Sequence, residues 1–345
     1  MKQLSIALCI CAIAILTACG APAVTPTSQP APKQKIAATE EPTRAIVTAA
    51  PKIAPTQELT RPLATATQQR ASPTSASTGA LPLFDVHLHQ VDKISASDLL
   101  ALIKKAGFGG AVLLGPPNTD GANTVAAERA YPDFVFPFAY AVFSTRSDQQ
   151  QVIASLESQL DKGRRGIGEI SMRHASGANI PGNDYPADGP IALAVYELAA
   201  KRRVPVLIHH EFEYASEIEN ALKKNANVTL IWAHMGDGPS SLVRDMLKKY
   251  PNLYVDISSR NSTYHRRLSI EEQSITNSDG TIKGDWKSLF EDYSDRVLFG
   301  TDINMDKHTL TDQLADYYQK TFAQLLRATA EKIAYKNIRK LIGLP

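Results

Sequence analysis

From residue 81 onward, short apolar runs of strand length alternate with longer amphipathic stretches of helical period, and few architectures can absorb that alternation. The strand candidates are 83–89, 110–114, 134–143, 165–171, 204–209, 228–234, 253–258 and 296–302. Helix candidates are 96–106, 150–162, 191–202, 216–224, 240–249, 286–293, 311–326 and 328–341. Eight strands separated by helices predict an α/β fold with parallel strands, since each helical return lays the next strand beside the last in the same direction. A closed (β/α)8 TIM barrel and an open doubly wound sheet both satisfy the pattern. Residues 81–345 match the ~250 typical of one barrel, which is the expectation.

The histidines sharpen it. All eight lie within 87–308, and four close strand candidates. His87 and His89 are two apart on a strand, so they project from one face; a regular strand then turns Asp85, His87 and His89 inward and Phe84, Val86 and Leu88 toward the helices. Two imidazoles side by side make a chelating pair for a borderline ion such as Zn²⁺. His209 ends the run Val206-Leu207-Ile208, and His234 ends Ile231-Trp232-Ala233. Glu169 and Asp302 follow apolar runs in the same way. Folding alone does not place such groups, because burying them costs several kcal/mol unless they are paired or ligated. One of them alone reads as a hydrogen-bonded rim residue; all of them at one end of one barrel read as a metal site. Neighbours on a strand face opposite ways, so only one of His209 and His210 can point inward.

Two connections, 172–190 and 259–285, are longer than barrel loops need, and both leave the strand ends where barrel active sites sit. They carry Arg173, His174 and Arg260 as candidate anchors for an acidic substrate, with Tyr264, His265, Arg266 and Arg267 on the second.

Asp85-Val86-His87-Leu88-His89, His209, His234-Met235-Gly236 and Phe299-Gly300-Thr301-Asp302 together resemble the amidohydrolase superfamily, in particular its amidohydrolase-related branch. The likeness spans essentially all of 81–345, down to the last helix around 331–344. It implies that His87 and His89 bind the more buried ion with Asp302. It further implies that His209 and His234 bind a second ion or help hold the first and polarise substrate. Glu169 resembles the bridging glutamate of TatD-type hydrolases, where many relatives have a carboxylated lysine instead; one ion or two stays open. On this resemblance the chain is a hydrolase of esters, lactones or amides, with Asp302 as the proton acceptor and donor and His234 polarising the reacting oxygen. A decarboxylase on the same scaffold, a TatD-like nuclease and a non-catalytic binding lipoprotein are the alternatives. The domain carries 30 basic and 32 acidic residues, which lacks the basic footprint of a nucleic-acid binder; a small-molecule substrate is the expected partner.

The first 80 residues are of another kind. Lys2, an apolar run over 4–16 and Thr17-Ala18 make 1–19 a secretory signal too short to span a membrane. Leu16-Thr17-Ala18-Cys19 resembles a lipobox, which implies a diacylglyceryl group on Cys19 and a lipid-anchored, exported protein. Gly20, where an inner-membrane signal has Asp, implies the outer membrane in a host that has one. All three cysteines lie in this segment, so no disulfide supports the barrel. Residues 20–80 hold nine of the 21 prolines and no aromatic residue, and read as a disordered Ala/Pro/Thr-rich linker. Its r.m.s. reach is roughly 40–45 Å.

Overall fold

The strands form where β-branched and aromatic residues concentrate, and their burial is nearly complete. The computed structural model describes residues 79–90, 94–115, 127–174, 184–264 and 269–345. The expected signal segment, Cys19 and the linker through residue 78 lie outside these, as do His265, Arg266 and Arg267. The described strands are β1 (Leu83–His89), β2 (Phe108–Leu114), β3 (Ile167–Ser171), β4 (Pro205–His209), β5 (Thr229–Trp232), β6 (Leu253–Asp256) and β7 (Val297–Leu298). β1 pairs with β2, and β3 to β7 pair in sequence order; every pairing is parallel.

Two further sets of hydrogen bonds join these sheets into a ring. Between β2 and β3, Phe136 N donates to Ala111 O (2.9 Å), Phe138 N to Leu113 O (3.3 Å) and Ala139 N to Gly166 O (2.8 Å). Between the chain after β7 and β1, Val86 N donates to Phe299 O (2.9 Å), Asp302 N to His87 O (2.8 Å) and His89 N to Ile303 O (3.0 Å). The expected strand over 134–143 is therefore corrected to a stave held by isolated bridges at Val135 and Ala139. The reason is Pro137: it has no N–H, and its neighbours Phe136 and Phe138 donate toward β2, so the bond it lacks is one toward β3.

The interior of the ring is filled by Phe84, Val86, Val112, Leu114, Phe136, Phe138, Leu207, Ile231 and Leu298, with Ile338 and Ile342 of the C-terminal segment packed against the same group. A larger apolar layer lies between the strands and the helices. Helix Ala96–Lys105 buries Leu99, Leu100 and Ile103 and is capped by Ser95, which accepts from Asp98 N. Helix Ser240–Lys249 buries Val243, Met246 and Leu247. Each such side chain contributes roughly 1.5–3 kcal/mol on burial. The expected last helix over 328–341 is interrupted by a wider turn at Lys332–Lys336, where Ile333 O accepts Phe299 N.

Residues Phe84 and Val86 in the interior correct the expected alternation along β1. On a regular strand, Val86 and His87 face opposite sides. The register against β2 slips between Asp85 and Leu88, so both turn inward while Leu88 joins the helix-facing layer. Asp85 leaves the interior: its carboxylate accepts Thr301 N (3.0 Å) and Thr301 Oγ1 (2.5 Å), tying β1 to the last stave.

Candidate metal centre

The staves deliver their polar ends to one place. His87 and His89 come from β1, Glu169 from β3 and His209 from β4; His234 lies just past β5 and Asp302 past β7. Local backbone geometry aims the last two, for His234 (φ 56°) and Asp302 (φ 57°) both adopt the left-handed conformation that ends a strand abruptly. That conformation is costly for residues with a Cβ and is characteristic of functional sites. Gly300 is required by close approach, because a Cβ there would lie 2.9 Å from the Cβ of His87.

Glu169 sits between two pairs of histidines and turns one oxygen to each. Its Oε2 is 3.3 Å from His87 Nε2 and 3.3 Å from His89 Nε2. Its Oε1 is 3.1 Å from His209 Nδ1 and 3.7 Å from His234 Nε2. Asp302 Oδ1 lies 3.5 Å from His89 Nε2 and 3.9 Å from His87 Nε2. Donor atoms of His87, His89 and Glu169, of His87, His234 and Asp302, and of Glu169, His209 and His234 each gather within 4.8 Å.

A buried outer layer orients these groups. Asp256 Oδ2 is 3.0 Å from His87 Nδ1, and Asp256 Oδ1 accepts Ser258 N, Ser258 Oγ and His234 N. Ser258 Oγ lies 2.7 Å from His234 Nδ1. In the neutral rings, Nδ1–H of His87 donates to the carboxylate and Nδ1–H of His234 to the serine oxygen, which leaves both Nε2 atoms with lone pairs toward the cluster. Asp256 and Ser258 are absent from the expected site, although Asp256 closes its apolar strand just as Asp302 follows its own.

Charge in this volume is strongly coupled. Burial opposes a charged His87, but the Glu169 and Asp256 carboxylates outweigh it and hold its pKa well above the usual imidazole range. Burial also opposes ionised Glu169, yet His87 and hydrogen bonds from the histidines hold it well below the usual carboxylate range. Asp302 is held well below too, where Lys307, His234, His87 and His89 outweigh its burial. Asp256 is lowered against burial by His87 and His234. The carboxylates of Glu169, Asp256 and Asp302 and the imidazole of His87 thus favour one another's charged forms. That donor set, nitrogen and oxygen only and converging on one buried point, fits one or two borderline divalent cations.

The remaining candidates divide. His174 stacks on His209 with ring centres 4.0 Å apart, and these two form a further donor group with Glu211. His210 points away from Glu169: Arg173 N donates to its Nδ1 (3.4 Å) and its Nε2 faces Tyr214 O (3.1 Å). Arg173 pairs with Glu217 and Asp184 and lies over the Tyr214 ring, clipping the two ends of the 172–190 connection. Arg260 is buried, with its guanidinium over Trp286 and bonded to Gly238 O. Lys307, also absent from the expected site, has Nζ 3.1 Å from Asp302 Oδ2 and lies over the Tyr264 ring.

A family model described as Amidohydrolase matches residues 71–344. No curated protein matches the chain. Among solved structures, the chain is similar to an uncharacterized TIM-barrel protein from Bordetella bronchiseptica at 15% identity and a TM-score of 0.53, covering 76% of this chain and 98% of that one. It is similar to a probable 2-pyrone-4,6-dicarboxylic acid hydrolase from Acinetobacter baumannii at 15% identity and a TM-score of 0.52, covering 76% of this chain and 100% of that one. A third similar structure, a 2,6-dihydroxybenzoate decarboxylase, has 15% identity and a TM-score of 0.50, with 77% and 98% covered. At these identities the likeness speaks for the barrel fold alone.

Proposed function

The chain belongs to the amidohydrolase family, and on that premise we propose that it is a metal-dependent hydrolase cleaving an ester, lactone or amide bond of a small substrate. The observation that carries this reading is the division of Glu169, with one oxygen toward His87 and His89 and the other toward His209 and His234. A carboxylate so placed would bridge two ions, one that His87, His89 and Asp302 would hold and one that His209 and His234 would hold. A borderline divalent ion such as Zn²⁺ supplies a Lewis acid and brings the pKa of water down to about 7. Asp302 takes the proton of the attacking water and returns it to the leaving oxygen or nitrogen. His234, fixed at Nδ1 by Ser258, aims Nε2 at the same volume, where it holds an ion or polarises the reacting oxygen.

What borders the cluster supports an acidic substrate. His174 beside His209 is the anchor best placed for an anionic group, and the named activity of the Acinetobacter structure is in keeping with an acidic lactone. Decarboxylation, the named activity of another neighbour, is the second reading. It needs one ion and no bridging carboxylate, so the divided Glu169 weighs against it. Metal analysis of the purified full-length protein tests the reading, followed by a panel of esters, lactones and amides with and without chelator. One or two ions per chain and chelator-sensitive hydrolysis are expected. A protein that binds no Zn²⁺, Mn²⁺ or Co²⁺ at micromolar concentration refutes the reading.

We propose in addition that the enzyme works outside the cytoplasm, held to a membrane by a lipid on Cys19 and spaced from it by residues 20–80. The basis is the lipobox-like Leu16-Thr17-Ala18-Cys19 alone. Lipid labelling that survives Cys19→Ser overturns this without touching the barrel.

A further inference from the structure

A carboxylate offers about four lone-pair sites, and at Asp302 three are already taken. Ser259 Oγ donates to Oδ2 at 2.6 Å and Lys307 Nζ to the same oxygen at 3.1 Å. Asn304 Nδ2 donates to Oδ1 at 2.8 Å. The remaining site on Oδ1 is the one that faces His87 and His89. These donors are not equivalent. Ser259 is fully buried and Asn304 serves the other oxygen, whereas the Lys307 side chain is 22% exposed on a flexible four-carbon stem.

Building on the reading of Asp302 as an ion ligand, we propose that Lys307 is a positioning residue that, with Ser259, holds Oδ2 of Asp302 away from the cluster and so leaves Oδ1 as its one ligating oxygen. While the ammonium sits on Oδ2, that oxygen is kept off the ion, which Asp302 would hold through Oδ1 only. The Tyr264 ring, 4.3 Å from Nζ, backs the ammonium in this position. Lys307 thereby trades tighter ion binding for a carboxylate that keeps one oxygen off the ion.

The trade has a signature that a merely structural lysine lacks, because affinity for the ion and turnover move in opposite directions. In Lys307→Met, Ser259 alone holds Oδ2, which can then turn onto the ion, and one repelling positive charge is gone. Ion affinity should tighten by about tenfold or more, while kcat falls and KM stays. With Co²⁺ as the probe, the visible d–d band should weaken as the coordination number rises. Lys307→Arg, which keeps the charge, should restore the wild-type spectrum. Ser259→Ala removes the other donor on Oδ2 and should shift the spectrum in the same direction by less, which keeps the test available if Lys307→Met does not fold. Folded Lys307→Met with wild-type Co²⁺ affinity and an unchanged spectrum overturns the proposal alone. Wild-type protein that binds no Co²⁺ overturns the metal centre and the proposal together.

Discussion

Replacing Asp256 by Asn tests how the imidazoles are aimed, and its effect can be worked out atom by atom. Oδ1 of Asp256 accepts His234 N and Ser258 N, each at 3.0 Å, together with Ser258 Oγ. Two of these are backbone donors that cannot move, so the amide oxygen of Asn must take this side. The amide NH₂ then faces His87 Nδ1, where Oδ2 now stands 3.0 Å away. Two donors cannot face each other, so the His87 proton moves to Nε2, the atom that looks into the cluster. Restoring the binding tautomer costs the mismatched hydrogen bond, about 1–3 kcal/mol. Ion affinity should therefore fall by about 10–100-fold, in line with the loss of other partners behind metal-binding histidines. Competition with a chromophoric chelator measures the affinity, and the ¹⁵N shifts of His87 in the ion-free protein, read at a pH above its raised folded pKa where the ring is neutral, report the tautomer. A folded Asp256→Asn protein that binds its ion within about threefold of wild type and keeps its proton on Nδ1 would refute the argument.

Three further outcomes are expected. Glu169→Gln should halve the number of bound ions; a ratio that stays at one in both proteins would favour the single-ion site and the decarboxylase reading. Asp302→Asn should keep its ion and lose about 10²–10⁴-fold in kcat, and near-wild-type turnover would pass the proton-transfer role to another group. The ion-free protein should lose stability at both ends of the pH scale. His87, raised in the fold, stabilises fully below its unfolded value and stops doing so as pH rises through its folded one. Glu169, Asp256 and Asp302, lowered in the fold, stabilise above their unfolded values and lose that as pH falls through the folded ones. Thermal melts with and without chelator read this directly, and bound ion should abolish the alkaline loss by replacing the proton on His87.

The alternation of apolar runs and helices carried most of the architecture, because strands and helices of a barrel are set by local pattern. His87, His89, Glu169, His209, His234 and Asp302 are brought together because each ends or follows an apolar run at the same end of its stave. Other features depend on pairing between staves and leave no local trace. The slip between Asp85 and Leu88 sets Val86 and His87 on one face, which no alternation rule anticipates. Pro137 was visible in the chain, yet the bond it lacks matters only once the neighbouring stave is known. Asp256 carried the same mark as Asp302, but the apolar run reads on through Ile257 and hides it. Lys307 follows Asp302 by five residues in a polar turn, and only the folded shape of that turn brings its Nζ to 3.1 Å from Oδ2.

The bonds that join the last stave to β1 also govern when the molecule can mature. His87 and Asp302 are separated by most of the domain, and the backbone bond from Asp302 N to His87 O forms only after both have left the ribosome. Contacts of such long sequence separation are slow to form, since the chain between must be ordered first. A chain interrupted before its last stave can stack helices on strands, but it presents an open edge at β1 and an incomplete set of donors. An ion held by the full donor set would therefore need the completed polypeptide, and fragments that stop short are left with the unpaired edge that proteases and chaperones recognise.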